Sequence, residues 1–182
     1  MSKQDTACDD ILIFPDDRLK TECQPVAEVT DSLRALAKRM LQDMYATEGV
    51  GLAAPQVGEL VQLVVMDVDY VEEGGRRNPY ILINPEIVTA DGEDRTTNEG
   101  CLSFPDITLS VTRPSHVVVE ARNLDWDLMR YEATGNLMAV CLQHEIDHLH
   151  GITMFDRLRP LQRMRKLREY EEMRRNAAVR QA

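Results

Sequence analysis

The chain has little that is aromatic, disulfide-forming or membrane-seeking. Aromatic residues are 5% of its 182 positions, with one tryptophan and three phenylalanines, so a core has to be assembled from aliphatic side chains and methionine. No apolar run approaches the ~20 residues that span a bilayer. The four cysteines, Cys8, Cys23, Cys101 and Cys141, have neither zinc-finger spacing nor the density of a disulfide framework, which fits a reducing compartment. Ser2 to Asp10 are acidic and polar, unlike a secretory signal or an arginine-rich transit peptide, so the expected location is the bacterial cytoplasm. Repeats and low-complexity segments are absent. What is present, 43% hydrophobic and 29% charged, is the composition of one globular domain over residues 1–182, with residues 1–9 expected to be flexible.

Charge is unevenly divided. Residues 157–182 hold nine Lys/Arg against three Glu, which leaves a body of about −16 and a tail of about +6. The expectation for 160–182 is a basic C-terminal helix with one apolar edge formed by Leu161, Met164, Leu167 and Tyr170 or Glu171.

Periodicity predicts a first helix from about Asp31 to Tyr45, capped by Thr30 or Asp31, with Leu33, Leu36, Met40 and Met44 on one face. Leu60–Val68 and Tyr80–Asn84 are β-rich, and Ile87–Ala90 continues the second run past Pro85. Val111–Arg122 and Leu128–Ala133 read as an antiparallel pair around Asn123-Leu124-Asp125. A last internal helix runs from about Asn136 to His150, with Gly151 as its stop. Helix, strands and then helices mean an α+β fold.

That internal helix carries Gln143-His144-Glu145-Ile146-Asp147-His148. Two imidazoles four residues apart share a helical face and can bind one metal ion, with Glu145 in reach of a water on it. This is the pattern of a metallohydrolase. Two histidines leave a catalytic metal one protein ligand short. A metzincin would place its third histidine where Met154 stands. A thermolysin-like glutamate would have to be Glu169, Glu171 or Glu172, inside the arginine-rich stretch Arg163–Arg175 that reads as a solvated helix. The remaining candidate is Cys101, in Glu99-Gly100-Cys101-Leu102-Ser103, where a glycine lets a thiolate approach a metal. Gly49 to Gly58, GVGLAAPQVG, is too small and glycine-rich for an ordinary core strand, and it reads as close backbone approach to a ligand.

GxGLAAxQ, EGCLS and QHExDH, in this order and at these separations, resemble the three motifs of the peptide deformylase family. The likeness spans about Asp10 to Arg168. It implies an α+β fold in which antiparallel sheets surround the metal-binding helix, with one helix before them and one after. It further implies a hydrolase that removes the formyl group of N-formylmethionine from newly made polypeptides and releases formate. Cys101, His144 and His148 would hold the metal and leave a position for water whose pKa falls towards neutrality. The metal-bound hydroxide would attack the formyl carbonyl while Glu145 serves as general base and then acid. The Gln56 amide and the Leu102 N–H would stabilise the developing oxyanion. The resemblance implies Fe2+, with Zn2+, Ni2+ or Co2+ as substitutes for the same donors.

By the same resemblance the methionine pocket includes Val50, Thr97, Leu137, Val140 and His144, with Glu99 and Gly100 close by, and Gly49 and Gly51 let substrate add as a strand. Relatives often carry an arginine where Thr108 stands, and a smaller aliphatic residue at Phe104, a change expected to reshape the rim. Glu99 is expected to pair with Arg113. The ribosome would be a partner for the basic tail, although a packing helix with a solvated face is the plainer reading. A monomer, with no membrane contact and no sequence-specific nucleic-acid binding, is expected. Cys141 reads as core, Cys8 and Cys23 carry no chemistry, and His116 and His150 read as structural or solvated. Asp147 is either an orienting partner of a ligand or part of a surface ion pair.

Overall fold

The computed structural model describes residues 11–72 and 74–181, with side chains as far as Val179. The expectations for residues 1–9, Cys8 included, lie outside the described residues.

The interior is organised by β2, Leu63–Met66, whose four side chains are all buried. Alternation sends Leu63 and Val65 into a cluster with Leu33, Ala37, Met40 and Met44 of α1, Asp31–Ala46. It sends Val64 and Met66 into a second cluster with Leu142, Ile146 and Leu149 of α2, Leu137–Leu149. A strand covered on both faces has no polar face to show, which is why this run is uniformly apolar.

Both helices start where short polar side chains can cap them. The Thr30 hydroxyl accepts the Leu33 N–H at 3.2 Å, and the Asn136 side chain accepts the Ala139 N–H at 3.0 Å. The predicted face of α1 is the buried one, with Leu36 half-buried beside it. The chain leaves α2 through Gly151, at φ 66°, where a Cβ would lie 2.5 Å from the Lys20 carbonyl oxygen. A side chain there meets both backbone strain and a collision.

Five strands form one antiparallel sheet in chain order: β1 (Gly51–Ala53), β2, β3 (Tyr80–Cys101), β4 (Phe104–Arg122) and β5 (Leu128–Thr134). Tyr80–Asn84 and Ile87–Ala90 are the opening of a single 22-residue strand, and β4 begins at Phe104 rather than Val111. The additional stretch, from Asp91 to Gly100, is polar and mostly exposed, so nothing in its pattern announces a strand. It is held by pairing with β4, for example Thr96 with Thr112 and Glu99 with Leu109. Register shifts after Ile83, Ile87 and Asp91 mark bulges, which bend a strand and let one ladder serve several surroundings.

The C-terminal helix α3, Pro160–Gln181, corrects the expected edge. Leu161 and Met164 are 67% and 54% exposed, while Tyr170 is buried and Leu167 and Met173 are partly buried. The expected edge belongs to a single i, i+3 series that continues to Met173. The chain enters α3 from the 3₁₀ turn Met154–Arg157, and only the later members, Leu167, Tyr170 and Met173, meet the aromatic cluster of Phe14, Phe104 and Phe155. Phe104 is itself 1% exposed, stacked at 5.0 Å on Phe14 and 5.5 Å from Tyr170 between ring centroids, and it also lines the neighbouring cleft. No helix among the described residues is long and apolar enough to cross a membrane.

Candidate metal centre and cleft

Three elements converge on one point. α2 supplies His144 and His148, the end of β3 supplies Cys101, and their donor atoms lie within 4.8 Å of one another. Cys101 Sγ is 3.3 Å from His148 Nε2, and the two imidazole rings are 5.0 Å apart at 74°. A soft sulfur donor and two imidazoles at this separation fit zinc, ferrous iron, cobalt or nickel better than hard oxygen-seeking ions.

The partner of His144 decides which nitrogen faces that point. Its Nδ1 is 2.9 Å from Glu99 Oε2. Burial works to raise the Glu99 carboxyl, but hydrogen bonds from His144 and Arg113 outweigh it and hold the pKa at about 2. An ionised carboxylate only accepts, so Nδ1 donates and Nε2 keeps its lone pair for a metal. Glu99 in turn takes a bidentate contact from Arg113, with Nε at 2.6 Å and Nη2 at 2.9 Å, which meets the expected pairing. Asp147 is 4% exposed and bonds to Arg113 Nη1 at 2.9 Å, which makes it part of a buried network and not of a surface pair.

The electrostatics suit a bound cation. Burial disfavours a proton on His144, yet the Cys101 sulfur and Glu99 prevail and draw its pKa well above the ordinary imidazole value. His148, buried beside His144, is held well below it. Negative or electron-rich groups, the Cys101 sulfur and the Glu99 and Glu145 carboxyls, thus surround the His144 ring. Glu145 is 5% exposed, its Oε2 has no hydrogen-bond partner among the described residues, and burial pushes its carboxyl up to about 7. A carboxyl group in that range both takes and gives protons near neutral pH.

Beside the triad opens a cleft of ≈ 400 Å³. Gly49, Val50, Gly51, Gln56, Gly100, Cys101, Leu102, His144 and Glu145 line it, so most of the residues singled out from the sequence meet here. One wall is the β1 segment, the edge of the sheet. Gly51 is required by close approach: an ideal Cβ would sit 2.4 Å from Glu145 Oε1 and 2.8 Å from Cys141 Sγ. Cys141 is core, as expected, and its thiol lies 3.6 Å from the Val50 carbonyl oxygen. Gln56 is 2% exposed, with Oε1 accepting the Ala53 N–H at 2.9 Å and Nε2 donating to Ser103 Oγ at 3.1 Å, 3.6 Å from Cys101 Sγ.

Other expected residues lie elsewhere. Thr97, Leu137 and Val140 line a separate cavity of ≈ 320 Å³ that shares none of its lining with the cleft; Val140 stands one turn before His144 on α2. Glu99 lies behind His144 and does not line the cleft. His116 bridges Asp91 and Glu132, and the half-exposed His150 faces Glu22, so both stay outside the site. Glu48, Pro105, Asp106 and Ile107 also line the cleft and were not singled out. Glu48 and Asp106 carry a structural mark, φ values of 54° and 64°, and no side-chain type in the sequence points to any of the four.

Comparison with known proteins bears on the chain as a whole. Residues 8–164 match the family model described as polypeptide deformylase. The chain is 46% identical over 163 residues to a peptide deformylase of Acinetobacter baumannii, covering 90% of each chain. It is 45% identical over 170 residues to one from Alkalilimnicola ehrlichii, covering 93% of each. Among solved structures, a peptide deformylase from Legionella pneumophila superposes with a TM-score of 0.81 at 38% identity, covering 92% of this chain and 96% of that one. One from Synechococcus elongatus in complex with actinonin gives 0.80 at 38% identity, covering 86% and 84%. With a matched model over most of its length and relatives well above 30% identity, the chain belongs to the polypeptide deformylase family of hydrolases.

Proposed function

We propose that the protein hydrolyses the N-terminal formyl group of N-formylmethionyl peptides, releasing formate and a free amine, and that it acts on nascent chains in the bacterial cytoplasm as a one-domain monomer. The observation that carries this reading is the convergence of Cys101, His144 and His148 at the edge of a cleft in which Glu145 is buried, with one carboxylate oxygen that has no partner among the described residues. Fe2+ is assigned from membership of the family; the same donors suit Zn2+, Ni2+ and Co2+, among which availability more than intrinsic affinity selects. Held there, a divalent ion supplies Lewis acidity and makes water nucleophilic near neutral pH.

The chain's own groups account for the rest. The formyl-peptide backbone lies along the free edge of β1, pairing with Gly49, Val50 and Gly51 as an added strand, with Gly100 opposite. Its methionine side chain takes the part of the cleft walled by Val50 and His144, and the separate cavity of Thr97, Leu137 and Val140 lies outside that contact. Glu145 accepts the proton of the attacking water and passes it to the departing amine, a double role that suits a carboxyl at about 7. Gln56 Nε2, beside the Cys101 sulfur, and the Leu102 N–H donate to the carbonyl oxygen as it gains charge. Removing one such donor costs about a hundred- to a thousandfold in rate. Glu99 fixes the His144 ring, and Arg113 fixes Glu99.

The test is formate release from formyl-Met-Ala-Ser by protein purified without oxygen and loaded with Fe2+ or Ni2+, beside Glu145→Ala and the acetylated peptide. Release confined to the formyl peptide and dependent on Glu145 is expected. A fully metallated protein that releases none would overturn the assignment. The basic surface of α3 is assigned to the ribosome in the same reading, and salt-sensitive co-sedimentation with ribosomes, lost when the exposed Arg165, Arg168, Arg174 and Arg175 are replaced by Glu, checks it.

A further inference from the structure

The hydrogen bonding behind His144 does not stop at Arg113. His144 Nδ1 meets Glu99 at 2.9 Å, Glu99 takes two bonds from Arg113, and Arg113 Nη1 meets Asp147 Oδ2 at 2.9 Å. Asp147 then takes a second bidentate contact, from Arg157 Nε at 2.9 Å and Arg157 Nη2. The charges alternate along the chain, and every member from His144 to Asp147 is less than a tenth exposed. Arg157 differs: its side chain is 42% exposed and borders a separate cleft of ≈ 580 Å³ that shares no residue with the cleft at the metal centre.

Arg113 sits between two buried carboxylates and presents three N–H groups to them. Without Arg157, Asp147 would retain one protein partner in a buried setting, and an underpaired buried carboxylate draws on the nearest cation. That cation is Arg113, whose bidentate hold on Glu99 orients the His144 ring. With Arg157 in place, Asp147 is satisfied from both sides and Arg113 is left to Glu99.

We propose that Arg157 is a positioning residue for the metal centre, acting through Asp147 and Arg113 on the Glu99 contact to His144. The proposal rests on the reading of Cys101, His144 and His148 as that centre. Partners that orient metal ligands are typically worth ten- to a hundredfold in affinity. Arg157 acts two partners further out, so its loss is expected to weaken metal binding by about three- to tenfold, at the foot of that range.

Anaerobic Co2+ titration of the metal-free full chain, followed through the visible absorption of the thiolate-bound ion and by competition with a chelator, reads the effect without turnover. Arg157→Gln is compared with wild type, with Asp147→Asn and with the double variant; Arg157→Lys, which keeps the charge and loses the fork, serves if the glutamine variant does not fold. The expected result is a three- to tenfold weaker site in Arg157→Gln with a shifted absorption band, a smaller change in Arg157→Lys, and no further effect of the Arg157 change in the Asp147→Asn background. Such non-additivity is the mark of residues acting through one another. Wild-type affinity and spectrum in the Arg157 variants, or an equal loss in the Asp147→Asn background, would overturn the relay alone. A wild-type chain that takes up no Co2+ through Cys101 would overturn the metal centre, and the relay with it.

Discussion

Gly51→Ala tests the geometry of the centre with a single methyl group. No positive φ is required at this position, so the added Cβ acts through space and not through backbone strain. That space is occupied: Glu145 Oε1 lies 2.4 Å and Cys141 Sγ 2.8 Å from the ideal Cβ, both neighbours are buried on α2, and β1 is held by the pairing of Gly51 with Met66. Ordinary contact begins near 3.4 Å, so the carboxylate has to retreat by about 1 Å. A displacement of that size at a reacting group costs about a hundredfold. Overpacking of this kind also costs ~1–3 kcal/mol of stability. The expected variant is folded, binds one metal per chain, and has kcat/KM for formyl-Met-Ala-Ser lower by about a hundredfold or more, mostly in kcat. The assay is formate release, with metal content and urea unfolding measured on the same preparation. A folded, metallated Gly51→Ala with kcat/KM within threefold of wild type would refute the argument, because Glu145 could then neither stand where it does and act as the proton carrier nor move without consequence.

Gly100→Ala is the complementary variant: its Cβ meets nothing within 4 Å, so stability should change by less than ~0.5 kcal/mol, while KM rises if peptide backbone passes over this residue. Tyr170→Ala removes the ring that joins α3 to Phe14, Phe104 and Phe155 and should lower the free energy of urea unfolding by ~3–5 kcal/mol. Asp156 gives a pH signature. Burial works to raise its carboxyl, but bonds from Lys20 and from the Thr153 N–H and hydroxyl outweigh it and hold it below the ordinary 3.8. The folded state therefore binds fewer protons than the unfolded one, and this stabilisation is complete above about pH 4 and is lost as pH falls below it. Melting curves of Asp156→Asn should accordingly show a shallower loss of stability than wild type as pH falls below about 4.

Local chemistry in the sequence was enough for the parts of the site that lie on regular elements. His144 and His148 have to share a face of a helix capped at Asn136 and stopped at Gly151, and the apolar series of α1 could point only one way. The glycines of GVGLAAPQVG read as close approach to a ligand, and at Gly51 it is the protein's own Glu145 carboxylate and Cys141 thiol that come close. Other features depended on residues far apart in the chain. The polar stretch from Asp91 to Gly100 is a strand because β4 pairs with it, and no side-chain pattern along it says so. Leu161, Met164, Leu167 and Tyr170 had the spacing of one packing edge, but only Leu167 and Tyr170, joined by Met173, are packed, and Leu161 and Met164 stay exposed. Arg157 reads as one more cation of a basic tail, and only the folded chain brings it to Asp147. Periodicity and capping are properties of neighbours in sequence, whereas pairing, burial and charge compensation belong to groups that folding alone makes neighbours.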